Sequence, residues 1–255
     1  MDQTQLVQLL SESAPQFSWL LGAGASQSAG LPTAWDVMWD LKRRHYNQQE
    51  NQQITPNDVQ NAAVQQKLSD YMEAQGFLPP GDPAEYSACF KLIFGDDYER
   101  QSKYLRAILG DDKISLSVGH RALAAMMVSD QAKAVFTTNF DTVIEKAFAA
   151  VSGMAIAPFH LEGSYATNAA LNNDEFPIYV KLHGDFRYQS IKNLAADLLT
   201  QDKELGKCLT SAGNRFGLVV AGYSGRDESV MALIEEALAG DVTPVSHPVV
   251  TRVLG

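Results

Sequence analysis

Four short stretches of this chain carry residue types and spacings that could do chemistry. The first is Gly22-Ala23-Gly24-Ala25-Ser26, directly after the apolar run Phe17 to Leu21. Small residues at such a strand end let a phosphorylated ligand approach bare backbone, and the amides and dipole of a following helix favour its charge. The match to the dinucleotide fingerprint is partial. Its third glycine position holds Gln27, and no acidic ribose partner follows a second strand about 20 residues on. A tight turn without a ligand is the structural alternative for these residues alone.

The second stretch, Phe136-Thr137-Thr138-Asn139-Phe140-Asp141, offers an amide at Asn139 that could hold a ribose hydroxyl or a water, with Thr138 beside it. Asp141 reads either as a ligand contact or as the cap of the next helix. The third, Tyr179-Val180-Lys181-Leu182-His183-Gly184-Asp185, places an imidazole beside a glycine, where it could take a proton near pH 7. His45, His120, His160 and His247 follow no buried strand and read as surface or packing residues. The fourth is Val220-Ala221-Gly222-Tyr223-Ser224-Gly225-Arg226-Asp227. Here Gly222 and Gly225 permit close approach, Ser224 could bond a ribose or phosphate oxygen, and Arg226 could supply countercharge. A helix start capped by Ser224 or Asp227 is the structural alternative.

The elements that must position these residues are legible as four apolar runs, Phe17 to Leu21, Ala134 to Thr138, Ile178 to Leu182 and Gly217 to Ala221. Their near-continuous apolarity predicts strands buried on both faces. Between them lie helical patterns: Trp35, Met38, Trp39 and Tyr46 on one face, Ile144 to Phe148 in a helix opened by Asp141, and Val230 to Leu238 with Leu233, Ile234 and Leu238 inward. Strands alternating with helices predict an α/β fold with a doubly wound parallel sheet, whose carboxyl ends line the ligand crevice. All four chemical stretches sit at such ends.

Residues 48–117 lack a comparable strand run and read as a small helical insertion, with short helices over Gln65 to Ala74 and Ala84 to Phe94 separated by the turn Leu78 to Pro83. Residues 160–176 are polar and patternless, which predicts a long loop that could act as a lid. Pro248-Val249-Val250 reads as a strand beginning close to Gly255. That pattern fits a domain continued in a longer protein, one completed by a partner, or a natural short tail.

Composition narrows the classes. With 20 Lys plus Arg against 30 Asp plus Glu the net charge is −10, which argues against a nucleic-acid footprint. The start carries no cationic stretch, and no run of apolar residues is long enough to span a bilayer, so a cytoplasmic setting is expected. The two cysteines, Cys89 and Cys208, can form neither a disulfide framework nor a four-cysteine zinc site, and no metal is expected.

Gly-Ala-Gly-Ala-Ser, Thr-Asn-Phe-Asp, Lys-Leu-His-Gly and Gly-Tyr-Ser, in this order and all at strand ends, resemble the sirtuin-like NAD-binding family from about Trp19 to Leu238. The resemblance implies a Rossmann-like sheet of sirtuin type with NAD as its ligand. By it, the turn bearing Gly22, Ala23, Gly24 and Ser26 binds the pyrophosphate, and Thr138 and Asp141 also contact the cofactor. Asn139 sits at the nicotinamide ribose, His183 is the catalytic base, and Gly222 with Ser224 holds the adenosine half. The chain departs from the protein deacetylases of that family. Thr138 stands where they have Gln, Thr33-Ala34-Trp35-Asp36 replaces their Asp-Phe-Arg, and the zinc ribbon is missing.

The run Lys181-Leu182-His183-Gly184-Asp185-Phe186-Arg187 is similar instead to sirtuin-like domains of prokaryotic antiviral defence proteins. That resemblance implies hydrolysis of NAD to nicotinamide and ADP-ribose, and control by a partner protein or further module that senses infection, within a homo- or hetero-oligomer. Direct contact with nucleic acid or membrane is not expected. A non-catalytic NAD or ADP-ribose sensor, and a protein deacylase or ADP-ribosyl transferase, are the rival readings.

Overall fold

The computed structural model describes residues 2–82, 84–160, 164–185, 203–239 and 252–253. Four strands, β1 (Phe17–Leu21), β2 (Ala134–Thr137), β3 (Ile178–Lys181) and β4 (Gly217–Ala221), lie side by side in the spatial order β3-β2-β1-β4. A two-residue strand, β5 (Arg252–Val253), extends the sheet beside β4. Every pair is parallel, with Trp19 of β1 opposite Val135 on one side and Val219 on the other. The expected doubly wound, Rossmann-like α/β architecture is thus present, and β5 lies just beyond the Pro248-Val250 signal, which falls outside the described residues.

The strands read as apolar runs because both faces of the sheet are covered. Leu20, Phe136, Ile178 and Val180 point to one face, where Leu171 of α9 (Tyr165–Asn172), Leu209 of α10 (Lys203–Arg215) and Val230 and Ile234 of α11 (Glu228–Ala239) pack on them. Their sequence neighbours Leu21, Val135 and Tyr179 point to the other, against Leu123 and Met127 of α7 (Val118–Val128) and Ile144 and Phe148 of α8 (Val143–Ser152). Period-two alternation therefore survives in the packing although the sequence shows no polar alternation.

The remaining helices are α1 (Gln3–Ser13), ahead of β1, α2 (Ala23–Gln27), α3 (Ala34–Glu50), α4 (Ala62–Ala74), α5 (Glu85–Phe94) and α6 (Tyr98–Leu109). Thr33 and Asp36 cap α3 reciprocally: Thr33 N donates to Asp36 Oδ2 at 2.8 Å and Asp36 N to Thr33 Oγ1 at 3.3 Å. Helices α3 to α6 enclose their own core of Trp39, Leu41, Tyr46, Leu68, Phe90 and Leu105, into which Phe140 and Val143 reach from beyond β2. Lys42 of α3 pairs with Glu85 of α5 inside it, both almost wholly buried.

Several expectations need correction. Within 160–176, Tyr165–Asn172 form helix α9 where a loop was expected; its asparagines look polar, but Thr167, Ala170 and Leu171 fall three and four residues apart and are buried. Residues 161–163 lie outside the described residues. Trp35 is 41% exposed and Leu238 47%, so each sits at the margin of its helix's buried face rather than inward. The helix opened near Asp141 begins at Val143. Among the described residues no helix is long and apolar enough to cross a membrane.

Candidate active site

The strand order reverses between β1 and β4, because the chain runs outward from β1 through β2 to β3 and then returns to the other side of β1. Such a switch point splays the loops at the carboxyl ends of the strands and opens a crevice. Here a cavity of about 600 Å³ occupies that place, within the size range of ligand sites. Ala23, Gly24, Ser26, Thr138, Asn139, Asp141, His183, Gly222 and Ser224 all line it, together with Arg226 and Asp227. Its far wall is the helical layer: Trp35 and Met38 of α3, Tyr86 of α5, Leu105 and Leu109 of α6. Gly22 and Gly225, also singled out from the sequence, are not among the residues that line it.

Backbone contact explains the glycines. Gly22 N donates to Ala221 O at 3.0 Å and Gly24 N to Gly222 O at 2.9 Å, so the turns after β1 and β4 lie directly on each other. A Cβ on Gly222 would stand 2.1 Å from Ala25 N, and the residue's φ of +64° already disfavours any side chain. A Cβ on Gly22 would meet Gly222 O and Tyr223 Cα, both at 2.5 Å. The expected phosphate-facing amides are accordingly fewer than the sequence suggests. Two are spent between the turns, and α2 is too short, at five residues, to bring a strong dipole.

Asn139 clamps the same turn. Its Nδ2 donates to Gly22 O at 2.9 Å and to Ser26 Oγ at 3.0 Å, while its own N–H donates to Thr137 Oγ1 at 3.0 Å. Gly22 O can only accept, so the amide orientation is settled and Oδ1 is the end left for a ligand. Asp141 is buried, and its Oδ1 accepts at 3.0 Å from the N–H of Val143, the first residue of α8; the N-cap of that helix is Thr142 rather than Asp141. Ser224 lies exposed on the cavity rim. His120 is a packing residue, as expected: its Nε2 lies 2.7 Å from Ala25 O and its Nδ1 accepts from Ser117 N at 3.1 Å, anchoring α2 to α7.

His183 stands two residues beyond β3, and its ring is tilted 40° to that of Phe140 with centroids 6.3 Å apart. Its Nε2 lies 2.7 Å from Oδ2 of Asp227, which arrives from beyond β4; the two side chains are 8% and 14% exposed. The oxygen sits off the axis of a straight N–H···O bond, and neither atom has a hydrogen-bond partner among the described residues. The other oxygen of Asp227, Oδ1, accepts from Ser229 Oγ at 2.7 Å, Ser229 N at 3.0 Å and Val230 N at 3.3 Å, capping α11. Burial alone raises the Asp227 carboxyl; the contacts from His183, Ser229 and Val230 outweigh it and hold the group below its ordinary range.

Beneath His183 lies a buried cluster that pattern reading missed. Lys181, fully buried, reaches Asp185 Oδ2 and Glu145 Oε1, each at 2.7 Å, and donates to Asp141 O at 2.5 Å. Tyr179 donates to Glu145 Oε2 at 3.2 Å. Burial lifts the Glu145 carboxyl above its usual value despite Lys181, and lifts the Tyr179 hydroxyl well above its own. Lysine in the middle of the apolar run Tyr179 to Leu182, with a carboxylate four residues on, was the available signal: a charge inside a buried strand demands a countercharge. Through Lys181 the loop carrying His183 and the loop carrying Asn139 are fastened to one centre. Among the described residues no group of three or more His, Cys, Asp or Glu side chains could hold a metal ion.

Comparison with known proteins bears on this arrangement. No curated protein matches the chain. The family model for the SIR2-like domain matches residues 133–252, a span that holds β2, β3, β4 and, with them, Asn139, His183, Gly222 and Asp227. The Gly22 to Ser26 turn lies ahead of that span, yet it packs against Gly222 within it. Residues 133–252 are therefore similar to a SIR2-like, that is sirtuin-like, domain.

Proposed function

We propose that the chain is an NAD glycohydrolase, cleaving NAD to nicotinamide and ADP-ribose. The observation that carries this reading is the meeting of Asn139 and His183 in a single cavity at the switch point of a SIR2-like sheet. In NAD the nicotinamide is already a cationic leaving group, so its departure needs little acid assistance and passes through an oxocarbenium-like state. What the site must add is position and a base.

Asn139, its Nδ2 held by Gly22 O and Ser26 Oγ, offers Oδ1 to a ribose hydroxyl or to the attacking water. His183 takes the proton from that water, a contribution of about 10²- to 10⁴-fold for a well-placed base. Gly24, Ala23 and Ser26 face the pyrophosphate, Thr138 and Asp141 support the nicotinamide-side ribose, and Gly222 and Ser224 flank the adenosine half, with Arg226 supplying countercharge in an acidic protein. Such an activity drains a cell of NAD. The likeness of the Lys181 to Arg187 run to antiviral defence domains supports a cytoplasmic effector role released by a partner or sensing module.

The test is incubation of purified protein with NAD, with and without an acetylated peptide, followed by chromatography. Free ADP-ribose appearing without peptide supports the reading. Binding without turnover would make the domain a sensor, and nicotinamide release that depends on peptide would make it a deacylase or transferase.

A further inference from the structure

We propose that Asp227 is the positioning residue of His183 and that the base of the site is the ring's Nδ1. Three observations converge on this. First, Nε2 of His183 and Oδ2 of Asp227 are 2.7 Å apart, both largely buried, with no hydrogen-bond partner among the described residues. Two bare lone pairs at that distance repel, so one atom carries a proton. The three donors on Oδ1 favour the ionised carboxylate of Asp227, which leaves that proton on Nε2. Second, the carboxylate cannot turn away, because Oδ1 is engaged by Ser229 Oγ, Ser229 N and Val230 N in the first turn of α11. The helix cap thus aims the second oxygen. Third, the ring comes from the opposite side of the sheet: β3 and β4 are three places apart, about 14 Å at the usual strand spacing, so the pairing exists only because both loops bend over the cavity.

With the proton on Nε2, the neutral ring has its lone pair on Nδ1. The identity of the substrate rests on the NAD hydrolase reading; the pairing and the tautomer do not. In the proposed step the water oxygen bonds to C1′ of the ribose as the C1′–nitrogen bond breaks, and that electron pair leaves with neutral nicotinamide. The water proton passes to Nδ1, and the imidazolium so formed is stabilised by Asp227 until it releases the proton to solvent. Asp227 touches no reacting atom. It fixes which nitrogen is basic and lowers the cost of charging the ring.

The experiment has two arms. In protein carrying ¹⁵N-labelled histidine, long-range ¹H–¹⁵N correlation above the ring's titration, assigned by the missing signals of His183→Gln, reads the tautomer directly without substrate. The expected result is a protonated Nε2 and a bare Nδ1; a proton on Nδ1, or equal averaging of both, overturns the assignment. In the second arm Asp227→Asn is compared with the wild type, since asparagine caps a helix about as well as aspartate and so leaves α11 intact. An amide can donate to Nε2, which moves the ring's proton to Nδ1. The expected outcome is an unchanged unfolding midpoint, a switched tautomer, and a kcat lower by roughly 10²-fold or more at similar KM, as for other histidines left in the wrong tautomer. Full kcat in Asp227→Asn, or an unswitched tautomer, would show that Asp227 only caps a helix. Absence of NAD turnover in the wild type would refute the hydrolase reading while the spectroscopic arm still decides the pairing.

Discussion

Truncating His183 to alanine removes an imidazole that stands against Phe140 and Asp227 on the cavity wall, outside the buried apolar cores, so the fold should survive while NAD consumption falls by about 10²- to 10⁴-fold, the worth of a general base. Chromatographic rates at saturating NAD, beside an unchanged melting midpoint, check this. Asn139→Ala differs because Nδ2 also holds the turn at Gly22 and Ser26. It should lose rate and affinity together. Gly222→Ala tests the contact between the turns: a left-handed backbone at φ +64° and a Cβ 2.1 Å from Ala25 N should cost more than about 2 kcal/mol, read from the urea midpoint. Wild-type stability in that variant would mean that the turns after β1 and β4 are not packed as described.

Between elements, charge inside the protein does the joining. Lys181 of β3 holds Glu145 of α8 and Asp185 at the end of the β3 turn, all with little or no exposure. Lys181→Met leaves two carboxylates in the interior without their cation, and loss of one partner of a buried pair costs about 3–5 kcal/mol. Chemical denaturation should show that loss, and a change under about 1 kcal/mol would mean that the cluster is relieved by water. On the helical side Asp40 of α3 accepts from Arg43 at 2.7 Å, from Arg44 at 2.7 Å and from Tyr104 of α6 at 2.9 Å. Burial raises its carboxyl, but these donors prevail and its folded pKa is lowered. Between that lowered value and the ordinary value of about 3.9 the unfolded chain binds more protons than the folded one. Its contribution is therefore complete above the ordinary carboxylate range and is lost as pH falls through the folded value. Asp40→Asn should flatten that acid limb of the stability–pH curve, and an identical limb in the variant would refute the assignment.

Across the whole molecule, two cores face one cavity. Cys89 lies in the core of the helical layer and Cys208 in the core on one face of the sheet, and burial pushes each thiol up to about 12, so both should resist alkylation at neutral pH. Phe140 and Val143, from the connection that carries Asn139, pack into the helical core, which couples that core to the sheet. Both cysteines should then become reactive at the same denaturant concentration. Labelling of Cys89 at distinctly lower denaturant would show that the helical layer opens by itself, and with it the wall of the cavity formed by Tyr86, Leu105 and Leu109.

What the sequence determined by itself is what depends on local pattern. The strands β1 to β4 appear as β-branched and apolar runs within a residue of their observed ends, and the chemical residues appear at the carboxyl ends because a parallel sheet puts its loops there. Asn139, His183, Gly222 and Ser224 could be named on that ground, and family likeness added their roles. Where composition misled, helix formation was hidden by polar residues, as in α9, whose buried stripe is only three side chains wide. The tertiary structure alone decided the pairings. That Gly22 and Gly24 are small for the backbone of Gly222, that Lys181 finds Glu145, and that Asp227 turns one oxygen to its own helix and the other to His183 are contacts between segments far apart in sequence. Spacing within one segment carries no information about such partners. Strand order and the reversal at β1 bring them together.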